Sequence, residues 1–127
     1  MTDYQHILII DDDKTFIKVN HKIFSNLTGC TNVNFKMSGT TALEFLKEMH
    51  AQQQFPDLIT LDWKMELGNG MDFLKAYQEK YYSNSPQTNI LIITEASQEV
   101  QSQTSEFAFV KGVLPKPLQS TQLKEIL

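Results

Sequence analysis

The sequence predicts an α/β domain built on a five-stranded parallel sheet with helices on both faces. Short apolar runs, Ile7–Ile10, Leu58–Leu61 and Ile90–Ile93, lack the alternation of a half-wet strand and are too short for helices, so they read as strands buried on both faces. Segments with helical spacing separate them. Each run also stops at a polar residue of a particular kind: Asp11-Asp12-Asp13, Asp62, Thr94, and, after Val113-Leu114, Pro115-Lys116-Pro117.

The first strand covers residues 6–11. The spacing of Phe16, Val19, Ile23 and Leu27 predicts a helix from about Asp13 to Thr28, with Asp13 as its N-cap and Gly29 as its stop. Thr31 to Met37 alternates strictly, Val33, Phe35 and Met37 against Asn32, Asn34 and Lys36, as an edge strand does. Thr41-x-x-Glu44 reads as a capping box for a second helix whose face is Ala42, Phe45, Leu46 and Met49 and which runs to about Gln53, ahead of Phe55-Pro56.

Asp57 to Asp62 is the third strand. A loop through Gly68-Asn69-Gly70 leads to a helix from Met71 to about Tyr82 with Leu74, Tyr77 and Tyr81 on its face; Ser83-Asn84-Ser85-Pro86 is a loop and Asn89 to Thr94 the fourth strand. Ser97 is the expected N-cap of a mostly polar helix over Gln98 to Ala108. Gly112 to Leu114 makes a short fifth strand and Ser120 to Leu127 a short last helix.

The 127 residues are expected to form one domain, 1–127, with hydrophobic residues at 41% and charged residues at 20%. A formal charge of -4 and a pI near 5.3 argue against non-specific binding to nucleic acid or an anionic membrane, so proteins or small charged ligands are the expected partners. No apolar run is long enough for a membrane span, and the acidic N-terminus does not resemble a signal peptide. The single cysteine, Cys30, reads as a small buried residue and suggests a cytoplasmic setting.

If the edge strand is outermost and the first strand turns back through the middle, the order is 2-1-3-4-5, the flavodoxin-like arrangement, with a ligand crevice between strands 1 and 3. Asp11, Asp12 and Asp62 would meet there, repelling one another by roughly 4 kcal/mol per pair at about 4 Å if the effective dielectric is about 20. All-oxygen ligation of that kind suits Mg²⁺. A Zn²⁺ site is not expected, since His6, His21 and His50 fall outside this edge. A carboxylate there can attack a phosphoryl group, with the Lys116 ammonium and the Thr94 hydroxyl positioned for its oxygens.

On these residues the sequence resembles the receiver domain of bacterial two-component response regulators along nearly its whole length. Ile7 through Asp13 is similar to the family's acidic-pair strand, Asp62-Trp63-Lys64-Met65 through Gly70 to its phosphoacceptor loop, Thr94 to its switch hydroxyl, and Lys116-Pro117 to its lysine with a usually cis proline. The resemblance implies that Asp62 accepts a phosphoryl group from a phosphohistidine of a sensor histidine kinase or histidine phosphotransfer protein, without turnover as an enzyme. It also implies that Asp12, Asp62 and the Lys64 backbone carbonyl hold Mg²⁺, with Asp11 acting mainly through water. The kinase would dock on the first helix, and a downstream effector on the face formed by the fourth helix, fifth strand and fifth helix.

Three positions depart from the pattern. Val113 stands where the family has a strand aromatic whose rotation is coupled to the switch hydroxyl, with Phe109 nearby; Glu95 replaces the usual Ala or Gly after Thr94; and Glu66 replaces a common proline. Asp11-x-Asp13-x-Thr15 also fits the first motif of haloacid-dehalogenase-type phosphatases, with Asp11 as nucleophile and Asp13 as acid/base. Against that, the only acid after Lys116 is Glu125, and Asp62 is left without a role. Val113 and Glu95 keep a third reading open, a pseudo-receiver that acts as an interaction module without phosphorylation. A nucleotide-binding protein of the same topology would need a Gly-rich or Ser/Thr-rich phosphate loop after the first strand, and none follows.

Overall fold

The computed structural model describes residues 4–65, 70–82 and 88–127. The loops expected at Gly68-Asn69 and Ser83–Pro86, and Glu66, lie outside the described residues. The elements alternate as the apolar runs demand: β1 (Ile7–Ile10), α1 (Lys14–Thr28), β2 (Val33–Lys36), α2 (Gly39–Ala51), β3 (Leu58–Asp62), α3 (Gly70–Lys80), β4 (Asn89–Thr94), α4 (Ser97–Thr104), β5 (Val110–Pro115) and α5 (Ser120–Ile126). All five strands are parallel, in the order β2-β1-β3-β4-β5.

Because successive side chains of a strand face opposite ways, each central strand feeds two cores. Leu8, Ile10, Ile59, Leu61, Ile90 and Ile92 pack against α2, α3 and α4 through Leu46, Phe73, Leu74, Tyr77 and Val100. Ile7, Ile9, Leu58, Leu91 and Ile93 pack against α1 and α5 through Ile17, Phe24 and Leu123. With both faces covered, the polar strand ends are left at the carboxyl edge of the sheet. No described helix is long and apolar enough to cross a membrane.

On α1 the buried stripe differs from the expected one. Ile17, Asn20 and Phe24 are buried, Val19 is 48% exposed, and Phe16, Ile23 and Leu27 are only partly covered. The two stripes differ by one residue, about 100° around the helix axis. Asn20 sits in the middle of the true stripe, and counting apolar residues therefore selects its neighbour. The caps behave as expected: the Asp13 carboxylate accepts from the Thr15 and Phe16 amides, and Gly29 takes a positive φ of 72°.

Helix α2 starts earlier than the expected capping box at Thr41. Ser38 is its N-cap, with Oγ accepting from the Thr41 amide at 3.1 Å, and Gly39 is already helical. In β2 the expected alternation does not carry into burial: Phe35 is 50% exposed on this outermost strand, whereas Lys36 is half-buried with its ammonium 4.9 Å from the Phe45 ring centroid. Helix α3 buries Leu74 and Tyr77 as expected and adds Phe73; it ends at Lys80, ahead of the expected Tyr82, and Tyr81 is buried just beyond its end.

Helix α4 begins at Ser97 and ends at Thr104, so Ser97 is not its cap; Ala96 holds that position without a side-chain hydrogen bond. Beyond Thr104 the chain turns to bury Phe107 and Phe109. Strand β5 is longer than expected because Lys111 forms a bulge, the register passing from Ile90↔Val110 to Leu91↔Gly112. A Cβ at Gly112 would press on Ile126 Cδ1 at 2.9 Å, so glycine lets α5 lie close to this strand.

Burial on α1 predicts contrasting stabilities. Phe24→Ala should destabilise the domain by about 3–5 kcal/mol in urea unfolding, and Val19→Ala by less than about 0.5 kcal/mol. Ser38→Ala should cost about 1 kcal/mol, whereas Glu44→Gln should have little effect.

Candidate functional site

The register aligns the functional side chains stepwise. Asp62 ends β3 opposite Ile93, Thr94 follows Ile93 and lies opposite Pro115, and Lys116 follows Pro115. The Lys116 amide donates to the Thr94 carbonyl at 3.1 Å, which extends the ladder by one rung. The Lys116–Pro117 peptide is cis. On the other side, Asp11 leaves β1 with its amide bonded to the Lys36 carbonyl, and its Oδ1 accepts from the Asp13 amide at 2.9 Å.

The Lys116 ammonium lies between two carboxylates, 3.3 Å from Asp62 Oδ1 and 3.5 Å from Asp11 Oδ2. Both acids are buried, Asp11 at 3% and Asp62 at 5% exposure. Asp12 is half-buried, and Asp11, Asp12 and Asp62 each offer an oxygen within 4.8 Å of the others. Three hard oxygen donors so close fit a divalent cation of the Mg²⁺ class and no sulfur- or nitrogen-seeking metal.

Burial raises the Asp62 pKa to about 6, helped by the charge of Asp11 and opposed by Lys116. Burial also raises that of Asp11, against the Asp13 amide and Lys116. One ammonium does not compensate the desolvation of both carboxylates.

Beside the cluster lies a cavity of about 200 Å³ lined by Asp12, Asp13, Phe16, Asp62, Lys64, Thr94, Glu95 and Lys116. Thr94 is buried, and its Oγ1 accepts from the Ala96 amide at 3.3 Å, which leaves its proton to be donated elsewhere. Glu95 is exposed at the rim, where its carboxylate would meet an entering anion. Asp13 has turned its carboxylate into the cap of α1 and does not join the acidic cluster.

One residue at the site was not picked out in the sequence as part of it. Phe16, expected in the core, places its ring 4.2 Å from the Lys116 ammonium; only the buried stripe of α1, offset by one residue, reveals it. Gly70 packs against Trp63, the residue after Asp62. Its amide donates to the Trp63 carbonyl at 3.0 Å, and a Cβ there would collide with the six-membered ring of the indole. A Gly eight residues after a strand-end acid is a weak signal for such a contact.

The aromatic near β5 does not fill the place left by Val113. Val113 pairs with Ile92 and packs on the α3 side, whereas the Phe109 carbonyl accepts from Ile90 at the start of β4, the end away from Thr94. Phe109 belongs to an aromatic cluster there, with centroids 5.0 Å from Tyr77, 5.1 Å from Tyr82 and 5.5 Å from Phe107.

A doubly covered parallel sheet with an acidic cluster and one lysine at its carboxyl edge is the architecture of a signal receiver. The chain belongs to the response regulator receiver domain family, whose model matches residues 7–127. It is thus a receiver of two-component signalling rather than a turnover enzyme, and the phosphatase alternative built on Asp11 and Asp13 falls away.

Among curated proteins it is 29% identical over 121 residues to the probable C4-dicarboxylate response regulator DctR of Halalkalibacterium halodurans, covering 95% of this chain and 49% of that protein. The chain therefore spans about half the length of that relative. Among solved structures it resembles a two-component response regulator from Cytophaga hutchinsonii, with a TM-score of 0.89 and 20% identity over 98% of this chain and 95% of that one. The chemotaxis response regulator CheY4 of Vibrio cholerae is similar at a TM-score of 0.75 and 24% identity, covering 99% and 100% of the two chains.

The raised Asp62 pKa predicts a pH dependence. Between the ordinary value of 3.8 and about 6 the folded chain holds a proton that the unfolded chain has lost, so this group's contribution to stability falls as pH rises through that window. In metal-free buffer Asp62→Asn should therefore gain on the parent as pH rises from about 4 to 7, reaching on the order of 1–2 kcal/mol in urea titrations. Gly70→Ala should cost about 1–3 kcal/mol by overpacking and shift the Trp63 emission spectrum.

Proposed function

We propose that this domain accepts a phosphoryl group on Asp62 from a phosphohistidine of a sensor histidine kinase or a histidine phosphotransfer protein, in the cytoplasm. The observation that carries the reading is the buried Asp62 carboxylate, 3.3 Å from an ammonium it shares with Asp11, at the wall of a cavity large enough for a phosphoryl group. In the transfer a carboxylate oxygen of Asp62 bonds to phosphorus, the phosphorus–nitrogen bond of the donor breaks, and the donor imidazole leaves with the electron pair and is protonated from solvent.

Lys116 then exchanges a carboxylate partner for a phosphoryl oxygen, and the Thr94 hydroxyl donates a hydrogen bond to another. Asp12, Asp62 and the Lys64 backbone carbonyl would hold Mg²⁺, with Asp11 acting through water. The ion would offset the negative charge that the phosphoryl group brings to the three acids. The switch is a population shift: once the Thr94 hydroxyl turns to the phosphoryl group, its bond to the Ala96 amide at the start of α4 is rearranged. That change would be read by an effector on the α4–β5–α5 face, while α1 serves the phosphodonor protein.

A second reading, a pseudo-receiver that binds partners without phosphorylation, draws on Glu95 at the cavity rim and on Val113 in place of a mobile ring. Trp63, the only tryptophan, adjoins the acceptor and distinguishes the two. Saturating Mg²⁺ followed by phosphoramidate or beryllofluoride should change its fluorescence. Asp62→Asn should abolish the phosphoramidate response, and chelation of Mg²⁺ should prevent it. A silent parent chain under saturating donor and metal would support the interaction module instead.

A further inference from the structure

We propose that Phe16 is a positioning residue for phosphoryl transfer, its ring serving as the seat on which the Lys116 ammonium rests. The proposal rests on the acceptor reading of Asp62 and adds a part to that site. The Lys116 side chain is 10% exposed, and an ammonium so enclosed needs compensation on every side. Two sides are met by Asp11 and Asp62, and a third by the Phe16 ring, 4.2 Å from the nitrogen to the centroid, inside the range of about 6 Å for a cation over an aromatic face. The three contacts come from α1, the end of β1 and the end of β3, and together they triangulate one nitrogen atom.

Local structure explains why a ring can hold this place. The Asp13 carboxylate accepts from the Thr15 and Phe16 amides at 2.8 and 3.3 Å, which fixes the first turn of α1. The core stripe begins at the next residue, Ile17, so Phe16 is turned about 100° from it and lines the phosphoryl cavity. The position therefore owes little to the packing of α1 on the sheet.

The chemistry of a ring differs from that of a third hydrogen-bond acceptor. When Asp62 becomes an acyl phosphate, Lys116 must move laterally from a carboxylate oxygen to a phosphoryl oxygen. An acceptor of fixed direction would hold it back. The π face attracts the charge without fixing a bond direction, so it sets the depth of the nitrogen in the site and leaves the lateral shift cheap.

The test uses phosphoramidate, a small donor that needs no docking on α1, and the Trp63 signal as the clock. Phe16→Leu should slow phosphorylation of Asp62 about three- to tenfold at saturating Mg²⁺. Mono-, di- and trifluorophenylalanine at position 16, nearly the same shape with a progressively weaker π face, should slow it stepwise, with Mg²⁺ affinity changed less than about twofold. The Lys116 ε-methylene protons report the seat without any donor, lying upfield under the ring current in the parent and at their ordinary position in Phe16→Leu. A rate that is flat across the fluorinated series, or Mg²⁺ affinity falling in step with the rate, would overturn the proposal. A parent chain that shows the ring-current shift but accepts no phosphoryl group would refute the acceptor reading and leave the seat standing.

Discussion

One buried ammonium shared by two buried carboxylates holds the carboxyl edge of this domain together. Asp11, Asp62 and Lys116 end three different strands, and each would be expensive to bury alone. Their mutual contacts make the edge possible and leave it short of positive charge, so burial, helped by the charge of Asp11, pushes the Asp62 pKa up to about 6. On the proposed function both a cation and a phosphoryl group would draw on this deficit: a metal would relieve the acids, and a phosphorylated Asp62 would no longer be an anion at its own carboxyl oxygens.

The surroundings of this contact divide into a rigid part and an adjustable part. Asp13 holds the first turn of α1, the Lys36 carbonyl fixes the Asp11 backbone, and the Thr94 carbonyl fixes that of Lys116. Thr94 and its bond to Ala96 lie on the adjustable side, at the uncapped start of a short, polar helix. Val113 cannot rotate as a ring does, and Phe109 is held in an aromatic cluster at the opposite edge of the sheet. On the proposed function, transmission from Asp62 would therefore have its shortest physical route through the backbone at Thr94–Ala96.

Each misread element has a physical cause. Periodicity found α1 but chose the wrong stripe, because Asn20 occupies a core position and Val19 a surface one. The cap of α2 falls at Ser38, ahead of the expected capping box at Thr41, because Ser38 supplies the hydrogen bond that starts the helix. Strand β5 was read short because Lys111, an exposed bulge residue, interrupts its apolar run. On α1 and β5 tertiary packing overrides the local pattern, whereas at α2 the deciding contact, Ser38 Oγ with the Thr41 amide, is itself local.

Strand number, parallel order and the identity of the strand-end acids, hydroxyl and lysine were legible in the order of residues alone, since buried strands and their abrupt polar ends are local patterns. The doubly covered sheet then leaves those ends only one edge to share. Distances across that edge were not legible, because they depend on how register and side-chain rotamers bring together residues far apart in the chain. The tertiary structure alone decided that Lys116 bridges Asp11 and Asp62, that Asp13 turns away to cap α1, that Phe109 lies at the far edge, and that Phe16 faces the ammonium instead of the core.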